Sequence, residues 1–204
     1  MTSHDDTETE FDQGTDHDQT IPPIRTLRFD RPADLYAGLP EVAGFTKHRP
    51  EAEEDAFAFF ERLRASTTPE DAVTYTAFAA EPELAVGWGL EAVRRTIAQM
   101  PADEEQLLNW IAQWRENPSA ENRWKVLQVA LFAPRRSPAV YLGLAAGWSG
   151  GPFAPNDPVR IPSWRTPRAV NAAVLRSIGQ VGLEQRSVCL ARVLDLAAGL
   201  FRVY

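Results

Sequence analysis

ADEEQLLNWIAQWREN, residues 102–117, decides the fold class. Leu107, Leu108, Ile111 and Trp114 recur at intervals of three and four, which gathers them on one stripe of a helix, with polar residues between. A half-buried strand would need strict alternation, and this segment has none. The next segment, SAENRWKVLQVALFA, repeats the spacing with Trp124, Leu127 and Leu131. Upstream, EAEEDAFAFFERLRA places Ala56, Phe59, Phe60 and Leu63 on one stripe, with acids at its start and arginines at its end, as the helix dipole favours.

Helix starts are marked by a repeated device, a hydroxyl residue followed by proline. At Thr68-Pro69 the threonine suits the cap, the proline the first turn, and Asp71 the position of a capping-box acid. Ser137-Pro138 and Thr166-Pro167 repeat it. The last two segments, TPRAVNAAVLRSIGQVG and LEQRSVCLARVLDLAAGLFR, meet at Gly182 with almost no loop. The chain therefore reads as all-α, an irregular bundle of about seven or eight helices with no strand. Spacing near 20 residues per helix suits a solenoid, but no motif recurs.

The 204 residues suit one core of ordinary size, and 44% hydrophobic with 24% charged is the balance of a folded domain. Residues 1–20 carry seven acids and no Lys or Arg, so this tail supplies the whole net charge of −7 and is expected to be disordered. Residues 21–50 hold prolines at 22, 23, 32, 40 and 50 among apolar residues, which predicts an extended arm with one helical turn near DLYAGL. Residues 51–204 form the helical domain. Within it the charge is uneven: residues 123–204 carry eleven Lys or Arg against three acids. Pairing with the acidic middle of the chain is the simplest reading, and an anionic partner the sharper one.

No apolar run reaches the roughly 20 residues of a membrane-spanning helix, and the start lacks a signal pattern, so the expected location is the cytoplasm. Cys189 is the lone cysteine, in an apolar segment, and reads as core. There is no phosphate loop, no histidine pair with ligand spacing and no nucleophile elbow. Ser149 before two glycines ends a helix more readily than it attacks a substrate, because no histidine lies in the helical segments to activate it. No catalytic residue, cofactor or metal is expected.

The most individual stretch is GWSGGPFAPNDPVRIPSWRTPRAV, residues 147–170. Gly150 and Gly151 suit a chain reversal through positive φ, and Pro152, Pro155 and Pro158 predict a stiff, extended crossing. Phe153, Ile161 and Trp164 are anchors that would pin it as a strap, or present it as a docking edge. Candidate partner-binding residues are Trp148, Phe153, Pro155, Trp164 and Arg165. Trp110 and Trp114, at i and i+4, add a possible aromatic ridge.

WRENPSAENRWKVLQVA, then SPAVYLGLAAGWSGGPFAP, then TPRAVNAAVL together resemble a family of bacterial helical domains of unassigned activity. Its pattern is a tryptophan-rich helix, an N-P-x-x-E-x-R element met here at Asn117, Pro118, Glu121 and Arg123, and a W-S-G-G-x-x-A-P segment leading through prolines. The resemblance spans roughly residues 80–200, and VRIPSWRTP departs from a uniformly prolyl stretch. It implies accessory proteins, some linked to type VI secretion. The expected function is a non-enzymatic adaptor or chaperone-like accessory that binds another protein, with nucleic acid not expected as its ligand. The alternatives are a carboxylate-dependent hydrolase or toxin-like effector, and an immunity protein that binds a toxin.

Overall fold

The computed structural model describes residues 25–152 and 159–202. Among them are α1 (Pro32–Gly38), a 3-10 turn (Pro40–Gly44), α2 (Ala56–Arg64), α3 (Glu70–Ala79), α4 (Pro82–Thr96) and α5 (Ala102–Glu116). The chain continues through α6 (Ala120–Phe132), α7 (Pro138–Trp148), α8 (Arg165–Gln180) and α9 (Leu183–Phe201). The fold is all-α, an irregular bundle, and among the described residues the bridges between extended residues are isolated ones, Leu27 with Ala80 and Pro152 with Arg160. The helical turn expected near DLYAGL is α1, which begins on Pro32 where a missing N–H costs nothing.

Amphipathic segments became outer helices, while the centre is built from helices buried on nearly every side. In α7 every residue from Pro138 to Gly147 except Tyr141 is buried, and in α3 every residue from Asp71 to Ala79 is. Such helices have no polar face to show water and must be surrounded. Accordingly α7 packs on α4, α5, α6 and α8, and α3 on α2, α8 and α9. The α6–α7 crossing is close: a Cβ on Gly147 would stand 2.5 Å from Leu127 Cβ, so only glycine allows the approach. The far end of the chain returns to the start of the bundle, where Phe201 stacks on Phe60 and Tyr75 with ring centroids 4.7 and 5.4 Å apart.

Residues 25–50 lie along α3. Arg28 N donates to Ala79 O and Glu81 N to Thr26 O, while Leu27, Leu35, Leu39 and Val42 enter the core. The decisive clamp is buried Asp71, whose carboxylate accepts from Lys47 N (2.7 Å), His48 N (3.1 Å) and His48 Nδ1 (3.0 Å). Asp71 is therefore not the capping-box acid its spacing suggested; a tertiary contact outcompetes the local one.

Other caps also differ from expectation. Thr68 does not cap α3, whose cap position is Pro69, and Thr166 is buried inside α8, which begins one residue earlier. Ser137 does cap α7, through Val140 N. The acids before α2 are not in its first turn; Asp55 is its cap and accepts from Phe57 N and Ala58 N. Among the described ion pairs, the two regions meet at Arg64–Asp195, where the base comes from the middle and the acid from the C-terminal region, the reverse of the pairing the charge balance suggests. Three C-terminal arginines instead turn to helix-end carbonyls: Arg123 to Gly147 O, Arg136 to Ala130 O and Leu131 O, and Arg186 to Gly179 O and Val181 O. Cations there satisfy orphan acceptors and oppose the negative helix ends.

Candidate functional site

The W-S-G-G segment (148–151) and the N-P-x-x-E-x-R element (117–123) meet at the end of α7. Arg123, buried on α6, donates from Nη1 to Gly147 O at 2.7 Å and to Pro152 O at 3.4 Å. Burial pushes its guanidinium pKa down. Ser149 Oγ donates to Ala146 O, so this serine closes the helix as the sequence suggests. Gly151 takes φ +78°, and a Cβ there would lie 2.9 Å from Arg123 Nη2. Of the two glycines, Gly151 is therefore the one the reversal needs. The motif is a helix-ending lock, and it fixes the rim on which Trp148 stands.

Two adjoining cavities share Trp148. One, of about 510 Å³, is lined by Arg28, Pro152, Arg160, Ile161, Pro162 and Ser163 among others. The second, of about 520 Å³, has walls of Phe45, Tyr141, Trp164, Arg165 and Arg168, and a floor reaching Leu144 and Asn171. Asn171 is buried and accepts from Thr74 Oγ1, which holds the floor polar at one point. Arg28 Nη1 donates to Ser163 O and ties the start of the chain to the lip.

Aromatic rings and guanidinium groups alternate along the second cavity. Arg165 stands 5.6 Å from the Trp148 ring and 5.7 Å from that of Trp164; Arg168 stands 5.6 Å from Trp164 and 5.4 Å from Phe45. None of the described residues lining either cavity is acidic. The guanidinium groups supply charge-assisted donors and the rings supply apolar area, a surface suited to carboxylate-bearing, partly apolar chain.

Trp148, Trp164 and Arg165 are thus brought together. Phe153 and Pro155 lie outside the described residues. Trp110 and Trp114 do not form an exposed ridge: Trp114 is buried in the core, and half-buried Trp110 carries Lys125 Nζ 4.5 Å from its ring on the α5–α6 side. Helical spacing put the two on one stripe, and that stripe faces inward. The sequence reading missed Phe45 and Arg168. Arg168 was within reach, because i and i+4 places it beside Trp164. Phe45 was not, since tertiary contacts, the Asp71 clamp and the Phe78 ring among them, hold the proline-containing segment beside the groove.

A family model covers residues 59–201, taking in both halves of the Arg123 lock. The chain belongs to DUF6931, a family of unknown function. No curated protein and no solved structure matches the chain. In this DUF6931 member, W-S-G-G and N-P-x-x-E-x-R are one structural unit beside the groove. Phe45 and Arg28, which complete the groove, lie before the matched residues. Among the described residues no cluster of His, Cys, Asp or Glu has metal-binding geometry, and no helix is long and apolar enough to cross a membrane.

Proposed function

We propose that the chain is a non-enzymatic, cytoplasmic, protein-binding accessory whose docking site is the arginine–aromatic groove. Its ligand is a segment of another protein that brings carboxylates to Arg165 and Arg168 and an apolar side chain between Trp148, Trp164 and Phe45. The alternation of rings and guanidinium groups carries this reading, since Trp and Arg are the side chains that most often anchor protein interfaces. The narrower form, an accessory of type VI secretion, draws on the family resemblance alone. A carboxylate-dependent hydrolase would want two converging acids in a cleft. Neither cavity of the groove is lined by a carboxylate among the described residues.

A photo-reactive phenylalanine analogue at Trp164, expressed in the native host, tests the reading. One protein should cross-link there and not from the same analogue at Glu116 on the exposed end of α5, and Arg168→Glu should lower the yield at least fivefold. Absence of any cross-linked protein at Trp164 would refute it.

A further inference from the structure

We propose that the groove is also the docking site of the chain's own residues 1–20, so that a partner must displace an intramolecular occupant. The inference uses the groove of the preceding section and not its partner. Three observations carry it. The first is charge: the two cavities bring Arg28, Arg160, Arg165 and Arg168 to one surface with no acidic residue among the described lining, while residues 1–20 hold seven acids and no Lys or Arg. Glu81 lies near Arg28 and partly offsets it, so Arg160 and Arg168 are the principal cations. Both are exposed and form no ion pair with a described residue, and Arg168 is steered only by the Phe45 and Trp164 rings.

The second is place. Arg28, eight residues after Thr20, lines the first cavity and bonds Ser163 beside Trp164. Asp18 is ten residues from Arg28 along the chain, a length that reaches at most about 33–36 Å. The acids are therefore tethered at the lip, at an effective concentration in the millimolar range that makes weak contacts sufficient. The third is composition. Glu10-Phe11-Asp12 sets an aromatic ring between two carboxylates, which matches a groove whose cations alternate with rings. Phe11 enters between Trp148 and Trp164, and the flanking acids meet the exposed Arg160 and Arg168.

The test uses the full chain. A nitroxide on Thr9→Cys, with Cys189→Ser to leave one thiol, should weaken the Trp148 and Trp164 indole N–H resonances at least twofold relative to the reduced label. Trp110, outside both cavities, should change much less. Raising NaCl to about 0.5 M should restore the two signals, since the Debye length falls to a few ångströms. Arg160→Glu with Arg168→Glu should do the same, and so should Asp12, Asp16 and Asp18→Asn, a variant that leaves the helical domain untouched. Equal effects on Trp110 and Trp164, or broadening that survives salt and both variants, would overturn the inference. Cross-linking to a partner without broadening removes the tail's occupancy alone; broadening without a cross-link removes the partner reading alone.

Discussion

Replacing Arg123 should weaken the fold at one definable point. Its side chain is 7% exposed and lies at the end of α7, where Gly147 O has no helical donor of its own. A hydrogen bond from a charged donor contributes about 1.5–3 kcal/mol, and the 3.4 Å contact with Pro152 O adds little. Arg123→Met keeps most of the apolar stem and removes the donor, so it should cost about 2 kcal/mol. Arg123→Ala also loses buried methylene groups at roughly 0.8 kcal/mol each, for a total of about 3–4 kcal/mol. For a domain of this size the alanine variant should melt about 10 °C lower. Urea unfolding with an unchanged slope should give the same ranking, and amide exchange in the methionine variant should rise first over residues 147–152. A methionine variant within about 0.5 kcal/mol of the parent would refute the lock, because the carbonyl would then have lost nothing.

Two further outcomes follow from packing and titration. Gly147→Ala should destabilise by about 1–3 kcal/mol in thermal unfolding, because its Cβ meets Leu127 at 2.5 Å, whereas Gly199→Ala in open space on α9 should stabilise by about 0.5–1 kcal/mol. The Glu54 carboxyl is held below its ordinary pKa by hydrogen bonds from Arg62. Its contribution is full above the unfolded value near 4.3 and is lost as pH falls through the lower folded value, so Glu54→Gln should be less stable than the parent at pH 7 and approach it below about pH 4.

Periodicity in the chain determined the class and most helix limits by itself. The stripes of Leu107, Leu108, Ile111 and Trp114 and of Phe59, Phe60 and Leu63 did become buried faces, because an apolar stripe at 3.6-residue spacing can be hidden only as one side of a helix. Gly182 and Ser137 marked their boundaries for equally local reasons. Which helix is central was decided by packing, since the all-round apolar character of α7 says only that something must surround it.

The groove shows the same division. Trp148, Trp164 and Arg165 stood out because their stretch is unusual in composition, and Arg168 stood one helical turn from Trp164. Asp71 could be placed on α3 by its spacing, but its three bonds go to Lys47 and His48, and those bonds help hold Phe45 beside the groove. Arg123 belonged to the N-P-x-x-E-x-R element, but nothing in the local spacing pairs its guanidinium with Gly147 O. Sequence alone determined helices, their apolar faces and where the charge lies, since these depend on neighbours within a turn or on simple composition. Only the tertiary structure decided which polar side chains are used up in clamps and which are left around a cavity, since hydrogen-bond partners 24 residues away leave no trace in local spacing.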